Sequence, residues 1–310
     1  MILELDNTRR DTFRKCPYRY NLVFNRGVKP RTGSTALRYG TVLHAAREGF
    51  YKHIKENGWA RDGKALKQAI TFAHNSWEKC NKEQNFYSDY RTFENLSVSF
   101  MSYVENFYAD EGILKVLHTE RAFKIEILPG VFFTGKIDME VKLNGSNWVD
   151  ELKTTSKDIG YTSKQQSRAF QFIGYTYAME KLYPKEQKPE GILITYHHLS
   201  AYKSKKTGEY GTPKILFDRI PQFFTEQDTI DWMTSFINTT HHIKECLSLD
   251  VWPKQFDSCY LYGACPYLYL CEQRRAPGLE NFADMYFITD PWNVLDTCEE
   301  LVVIPLKEGK

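Results

Sequence analysis

Residues 135–154 read GKIDMEVKLNGSNWVDELKT, and this stretch decides the fold of the chain. Apolar and polar residues alternate from Ile137 to Leu143, which is typical of a β-strand with one buried face. The dipeptide Asn144-Gly145 follows, and it favours a two-residue type I′ turn between two strands. A second strand is predicted from Trp148 to Thr154. The stretch therefore predicts a β-hairpin.

The predicted hairpin places two acidic side chains face to face. In the register of a two-residue turn, Asp138 lies opposite Glu151, and Lys136 lies opposite Lys153. Opposed side chains have Cβ atoms about 4.5–5.5 Å apart, and like charges in that position are destabilising. A divalent cation between the carboxylates removes this penalty, and carboxylate oxygens suit Mg²⁺ or Mn²⁺. We therefore expect Asp138, Glu151 and Lys153 to share one surface.

Two other interpretations of the hairpin stay open at this point. Asp138 could lie on an ordinary solvated strand face, which needs no cation. A four-residue loop would instead pair Asp138 with Lys153 as a plain salt bridge. Asp150 alternates onto the apolar face, where an acid needs a partner that the sequence does not identify.

The wider pattern of the chain predicts a mixed α/β core with helical insertions. Helical spacing precedes the hairpin, with Thr8 as the expected cap of the first helix. One more strand precedes the hairpin, and a helix and two further strands follow it, before a final helix. The predicted helices cover residues 8–24, 35–55, 64–118, 166–182 and 225–247, and the other strands lie at 123–127, 191–197 and 214–220.

Composition excludes several classes of protein. The chain has 310 residues, of which 42% are hydrophobic. This fraction is sufficient to form a large hydrophobic core, so a disordered chain is not expected. The 41 basic and 39 acidic residues give a net charge of +2, which argues against a polybasic nucleic-acid binder. The sequence contains no run of 18 apolar residues and no P-loop motif. An acidic N-terminal start and seven cysteines, an odd number, predict a cytoplasmic protein without a disulfide framework.

Five short motifs occur in an order that resembles the PD-(D/E)XK nuclease superfamily, in particular its RecB-like exonucleases with an iron–sulfur cluster. This subgroup includes AddB nuclease domains and CRISPR-associated exonucleases. The resemblance extends from Thr8 to Cys271. Its motifs are GKID at 135–138, DELKT at 150–154, GTVLH at 40–44, QFIGY at 171–175, and the cysteine segments Cys16-Pro17-Tyr18, Cys259, Cys265-Pro266-Tyr267 and Cys271.

The resemblance implies a restriction-endonuclease-like fold, in which helices flank a mixed central sheet, and a metal-dependent site. Hydrolysis of a phosphodiester needs an activated water and relief of charge on the phosphate, and a bound cation supplies both. A neighbouring lysine adds electrostatic stabilisation. The implied metal ligands are His44, Asp138, Glu151 and the Leu152 carbonyl; the implied catalytic residues are Asp138, Glu151, Lys153, Gln171 and Tyr175.

The cysteines predict a second metal centre. Cys259, Cys265 and Cys271 stand at equal gaps, and Cys16 could supply a fourth thiolate. Four thiolates suit either an iron–sulfur cluster or zinc, and spacing alone does not separate the two. The resemblance implies a 4Fe–4S cluster held by these four residues, which would tie the first helix to the C-terminal segment. The remaining cysteines are expected to be buried apolar residues: Cys80, Cys246 and Cys298.

We therefore expect one nuclease domain over residues 1–310, with a helical insertion at 56–118, a catalytic core at 119–222, an iron–sulfur segment at 250–275 and a tail at 278–310. The predicted activity is that of a deoxyribonuclease, specifically an exonuclease dependent on Mg²⁺ or Mn²⁺. The alternative is a non-catalytic, cluster-stabilised DNA-binding protein in a recombination or repair complex. A zinc-stabilised nuclease is a second alternative.

The expected partner is DNA, as single strands or duplex ends, and no membrane. The basic loop Lys203/Lys205/Lys206 and the aromatic-rich segment 64–118 are candidates for holding single-stranded ends. Because the chain carries no P-loop motor, it is expected to act alone or beside a separate recombinase, single-strand-binding protein or helicase. By analogy, such a protein suits phage or plasmid recombination and repair in the host cytoplasm.

Overall fold

The structure is a computed structural model that describes residues 2–261, 263–272, 285–291, 293–295, 298 and 300–306. Its helices are α1 (Asn7–Lys15), α2 (Pro17–Tyr20), α3 (Thr35–Asn57), α4 (Lys64–Glu83), α5 (Phe93–Asn106), α6 (Ile159–Gln166), α7 (Phe170–Leu182), α8 (Glu226–Leu249) and α9 (Leu268–Glu272). Its strands are β1 (Leu3–Leu5), β2 (Val28–Pro30), β3 (Leu114–Leu128), β4 (Val131–Leu143), β5 (Ser146–Thr155), β6 (Gly191–Ser200), β7 (Lys214–Gln222), β8 (Phe287–Thr289) and β9 (Glu300–Ile304).

The chain divides into two compact units. The first unit comprises Met1–Thr32, Ala122–Gly135 and Glu226–Lys310, and the second comprises Gly33–Arg121 and Lys136–Thr225. Two of the four boundaries along the chain fall inside β3 and β4.

The second unit contains a mixed sheet in the order β7-β6-β5-β4-β3. Strands β5 and β6 run parallel, while β4–β5 and β6–β7 are antiparallel. Its core joins one face of α3 to the sheet, with Leu43 and Phe50 of the helix in the same apolar cluster as Met139, Val141 and Leu152. The predicted mixed α/β architecture, a central sheet flanked by helices, is thereby confirmed.

The hairpin has the predicted register. Leu143 pairs with Ser146, and the antiparallel ladder continues to Met139 opposite Asp150. Asn144 and Gly145 both have positive φ, at 50° and 90°, as a type I′ turn requires. The four-residue loop that would pair Asp138 with Lys153 is therefore wrong.

In the first unit, β1 runs parallel to the start of β4, and β9 lies beside β3. An aromatic cluster joins α8 to β4: the ring of Phe133 lies 4.7 Å from that of Trp232 and 5.6 Å from that of Phe236. A second small cluster is built from the N-terminal helices and the C-terminal segment, with Tyr18 and Leu22 packed near Tyr267 and Phe287.

The first predicted helix, 8–24, is wrong as a single element. Helix α1 ends at Lys15, because Cys16 has extended backbone angles (φ −165°, ψ 108°) ahead of Pro17, whose ring disfavours the helical conformation of the preceding residue. The cap is Asp6 rather than Thr8, since the Asp6 carboxylate accepts a hydrogen bond from the Arg9 amide at 2.9 Å.

The predicted helical run 64–118 is interrupted. Helices α4 and α5 occupy most of it, but residues 84–92 are irregular, and β3 already begins at Leu114. The helix predicted at 166–182 corresponds to α7, which begins later, at Phe170, and ends at Leu182 as predicted; the separate helix α6 precedes it, with a break at 167–169.

The remaining expectations about organisation stay predictions. These are the single nuclease domain over 1–310, the insertion 56–118, the core 119–222, the segment 250–275 and the tail 278–310. In the segment 250–275, residues 262 and 273–275 lie outside the described residues, and in the tail 278–310 so do residues 278–284, 292, 296–297, 299 and 307–310. No helix within the described residues combines the length and the apolar character that crossing a membrane requires.

Candidate active site

The hairpin of β4 and β5 carries two acidic side chains into one buried site. Glu151 is only 2% exposed and lies in a run of four buried residues, 149–152, so burial along β5 does not alternate there as the sequence predicts. Asp138 Oδ2 accepts a hydrogen bond from the Leu152 amide at 3.0 Å, so the carboxylate of β4 is held against β5. A backbone hydrogen bond across the hairpin thus fixes Asp138.

A chain of hydrogen bonds joins Glu151 to α7. Lys153 Nζ donates to Glu151 Oε1 at 2.7 Å and to Gln171 Oε1 at 3.0 Å. Gln171 Nε2 in turn donates to Glu151 Oε1 at 2.9 Å and to Tyr175 Oη at 3.0 Å. The Tyr175 hydroxyl donates to the Lys136 carbonyl at 2.9 Å, which returns the chain to β4. Gln171 and Tyr175 are four residues apart on one helical face, as predicted.

Helix α3 brings His44 to the same place. His44 Nδ1 lies 3.0 Å from Asp138 Oδ2, and the imidazole is half-buried. The motif residues of the second unit are therefore together: His44, Asp138, Glu151, Leu152, Lys153, Gln171 and Tyr175. Their roles in catalysis and metal binding remain proposals.

The charges of this site push the two carboxyl pKa values apart. Burial raises the pKa of Asp138, but the charges of His44, Lys153 and Arg47 outweigh it, so this pKa falls well below its ordinary value. For Glu151, burial and the neighbouring Asp138 charge raise the pKa despite Lys153. Burial lowers the pKa of His44, and the attraction of Asp138 reverses that effect and raises it. Because both carboxyl groups lie in one buried site, the charge of Asp138 disfavours the ionisation of Glu151.

One oxygen of this site is buried without a protein partner. Glu151 Oε2 is inaccessible and accepts no hydrogen bond in the described part of the chain, while its sister oxygen accepts two. A buried carboxylate oxygen without a donor is costly, and a cation is the natural partner for it. The set of donors, carboxylates with an imidazole nearby, therefore fits a divalent cation. No three His, Cys, Asp or Glu side chains among the described residues are already arranged around one ion position.

The structure adds two acid–base pairs that the sequence did not reveal. Glu120 of β3 forms an ion pair with Lys136, and burial together with the Asp138 charge raises the pKa of Glu120 to about 7. Asp150 is fully buried and pairs with Arg47, whose Nη2 lies 2.7 Å from Asp150 Oδ1. Arg47 lies one turn after His44, so this pair joins α3 to β5 directly beneath the site.

A sequence signal existed for only one of these pairs. An acid at 150 on an apolar face needs a partner, and Arg47 of α3 supplies it in the structure. Glu120 has a positive φ of 51°, which interrupts the alternation of β3, and no sequence pattern marks that change.

The four cysteines of the C-terminal and N-terminal segments lie near one another in the first unit. Burial and the neighbouring thiols of Cys265, Cys271 and Cys16 raise the pKa of Cys259. Cys16, Cys265 and Cys271 pack against the same aromatic cluster around Tyr267. All seven cysteines are free thiols. Of the other three, Cys246 is buried as predicted, whereas Cys80 and Cys298 are half-buried.

Comparison with known proteins identifies a family. The sequence profile of the PD-(D/E)XK nuclease superfamily matches residues 7–272. No curated protein matches the sequence. Among solved structures, a "Putative exonuclease" from Eubacterium rectale is 13% identical, covers 89% of this chain and 93% of its own, and has a TM-score of 0.49. The crystal structure of SSO0001 is 12% identical, with coverages of 79% and 87% and a TM-score of 0.29. Neither similarity bears on function.

Proposed function

This chain belongs to the PD-(D/E)XK nuclease superfamily, and from that premise we propose that it is a metal-dependent DNA exonuclease whose site is the hairpin of β4 and β5. The observation that carries the proposal is Glu151. One of its oxygens is fixed by Lys153 and Gln171, and the other is buried without a donor beside Asp138. A buried carboxylate oxygen without a donor destabilises a protein core, but it is a suitable ligand for a cation.

We propose that Asp138, Glu151, His44 and the Leu152 carbonyl hold Mg²⁺ or Mn²⁺. The chemistry that such a cation supplies is activation of water at neutral pH and withdrawal of charge from phosphate oxygens. The oxygen donors of the set suit these hard cations. The low pKa of Asp138 keeps that carboxylate ionised and ready to bind.

The proposed role of Lys153 is electrostatic. Its ammonium is fixed at 2.7 Å from Glu151 and 3.0 Å from Gln171, so its charge is in place before a phosphate arrives. A preorganised charge stabilises the negative charge that develops on the phosphate during attack by water. Gln171 and Tyr175 orient this lysine through their shared hydrogen bonds and could also contact DNA.

We also propose that Cys16, Cys259, Cys265 and Cys271 hold a 4Fe–4S cluster. Four free cysteines, three of which pack against one aromatic cluster, fit the donor set of such a cluster. Binding energy of a metal centre between distant chain segments becomes folding energy. The cluster would therefore stabilise the first unit. The free thiols and the cluster suit the reducing host cytoplasm, which we propose as the location.

The proposed substrate is DNA, as a single strand or a duplex end. A recombinase, a single-strand-binding protein or a helicase would act beside the enzyme, because phage or plasmid recombination and repair supply such ends. These partners rest on analogy with the family.

Cleavage of labelled DNA tests the proposal. The wild-type protein is incubated with end-labelled single-stranded and duplex DNA in Mg²⁺, Mn²⁺ or EDTA. We expect mononucleotides or short products in at least one metal and none in EDTA. Lys153→Ala should lower the rate by about 10²–10³-fold, the typical cost of removing one preorganised charge donor.

The matched control is Lys142→Ala, because Lys142 is an exposed lysine on the same hairpin. This variant should cleave like the wild type. Intact DNA in both metals would contradict the enzyme and favour the non-catalytic DNA-binding alternative. A brown protein after anaerobic purification supports iron, whereas a colourless one supports zinc.

A further inference from the structure

Two segments of the second unit leave its sheet at the same edge, at the end of the strand that carries Lys153. Strands β5 and β6 are parallel, with Thr155 opposite His198 near their carboxyl ends. The segments that follow them, residues 156–169 and 201–213, therefore start side by side. His198 Nδ1 lies 2.8 Å from the Lys157 carbonyl and joins the two starts. We call these two segments the rim.

Lysines dominate the charge of the rim. Lys157, Lys164 and Arg168 lie in the first segment, where the acid Asp158 is used as the cap of α6, 2.9 Å from the Tyr161 amide. The second segment contains three lysines but only one acid, Glu209. Lys164, Lys205 and Lys206 are exposed and have no ion-pair partner in the stretch of chain that the structure covers. The rim therefore offers positive charge to a ligand.

The rim also contains two tyrosines whose side chains are exposed to solvent. Tyr161 is 52% exposed and Tyr202 is 74% exposed. The Tyr161 hydroxyl accepts a hydrogen bond from Gln165 at 2.7 Å, and Lys157 Nζ lies 5.7 Å from the centre of its ring. Exposed rings of this kind contribute little to a core. They are suited to stack on bases that are not paired.

The second segment is an ordered arm. Ser204 donates its amide to the Glu209 carbonyl at 2.8 Å, and Gly211 donates to the Tyr202 carbonyl at 2.9 Å. Lys203 faces Tyr210 across this arm, with Nζ 5.2 Å from the centre of the ring. An arm that is already folded loses little conformational entropy when it binds.

The rim lies close to the candidate catalytic lysine. Lys153 precedes Thr155, the last residue of β5, by two positions, which corresponds to about 7 Å along a strand. The rim therefore begins beside the end of the strand that carries the candidate catalytic lysine.

We propose that the rim binds single-stranded DNA, with its lysines on the phosphates and with Tyr161 and Tyr202 stacked on unpaired bases. The inference rests on the proposed function, since it assigns the strand that this nuclease site receives. Lysines alone would serve a duplex equally well. The exposed tyrosines select the single strand, because the bases of a duplex already stack on one another.

Binding without cleavage tests the rim. Dye-labelled oligo(dT) and a blunt hairpin duplex are titrated with the full-length protein in Ca²⁺, and fluorescence anisotropy gives each Kd at several salt concentrations. We expect the wild type to bind oligo(dT) more tightly. Lys203→Ser/Lys205→Ser/Lys206→Ser should reduce the salt slope for oligo(dT) by about 2, since each single-strand phosphate contact contributes about 0.7. Tyr161→Ala or Tyr202→Ala should weaken oligo(dT) roughly five- to 150-fold.

Two controls carry the same chemical changes away from the rim. Lys55→Ser/Lys67→Ser/Lys82→Ser removes three exposed lysines of α3 and α4, and Tyr87→Ala removes an exposed tyrosine of the aromatic-rich segment. Both should bind oligo(dT) like the wild type. Equal affinity of the rim variants and the wild type would overturn the proposal, as would a loss confined to Tyr87→Ala. Failure of the wild type to cleave DNA in Mg²⁺ or Mn²⁺ is read separately and contradicts the nuclease function instead.

Discussion

Burial is the dominant electrostatic influence on several side chains of the second unit. It opposes the ionisation of Glu151 and Glu120, and the Asp138 charge adds to that effect for both acids. Lys153 and Lys136 compensate only in part. Residues held in this way are typical of functional sites, where charge is arranged for a ligand rather than for the apo protein.

His197 of β6 gives the clearest pH dependence. Burial, with a smaller contribution from His198, lowers the pKa of His197 from 6.5 to about 3. The folded state therefore keeps this ring neutral while the unfolded chain takes up a proton below about pH 6.5, so stability is complete above that pH and is lost as the pH falls towards 3. Between pH 7 and pH 5 the loss should be about 2 kcal/mol.

Urea unfolding at pH 7 and pH 5 checks this expectation. His197→Gln should remove most of the pH-dependent loss, because glutamine does not titrate. His241→Gln, an exposed histidine of α8, is the control and should retain the wild-type difference. An equal pH dependence in His197→Gln and the wild type would contradict the assignment of the loss to His197.

At the scale of residues, the order of the motifs along the sequence predicted which side chains lie together in the structure. His44, Lys153 and Gln171 belong to distant motifs, yet they lie around the same two acids. No sequence motif marks Arg47. Its pairing with Asp150 depends on how α3 packs on β5, and local pattern does not determine that packing.

The hairpin is the element on which the site depends. Its turn requires positive φ at both central residues, and Gly145 at 90° has open space around the position of a Cβ. Gly145→Val should therefore destabilise the protein through backbone conformation alone, by about 1–2 kcal/mol. Asn144→Gly should be nearly neutral, because glycine accepts the same φ.

Thermal or urea unfolding of the two variants measures this difference. A Gly145→Val protein as stable as the wild type would show that the turn contributes little to the register. The register matters for the site because a shift by one residue moves every side chain to the other face of a strand.

At the scale of elements, periodicity predicted the strands of the hairpin and most of α3. The large apolar residues of α3 face the core except Leu37, which is 74% exposed. It failed where a single residue changes the backbone. Cys16 is extended ahead of Pro17, so the first helix stops there, and the strand from Leu114 was hidden because its short alternation follows a long helical pattern. The first break is a local effect of the proline on the residue before it, whereas the start of the strand depends on tertiary contacts that local spacing does not encode.

For the molecule as a whole, the proposed cluster joins residues from the two ends of the first unit. Cys16→Ser should abolish the visible absorption of an anaerobically purified protein and lower the thermal midpoint, because metal-binding energy is folding energy. Cys80→Ser, a half-buried cysteine of the second unit, is the control. A Cys16→Ser protein that keeps both the colour and the midpoint of the wild type would contradict a ligand role for Cys16.

The most direct test of the shared cation is Mn²⁺ binding by isothermal titration calorimetry. The wild type should bind Mn²⁺, and Glu151→Gln should bind it at least tenfold more weakly, because the oxygen that lacks a donor loses its charge. Glu140→Gln, at a buried acid two residues after Asp138 on β4, should bind like the wild type. Equal Mn²⁺ affinity in the wild type and Glu151→Gln would contradict a cation held between Asp138 and Glu151.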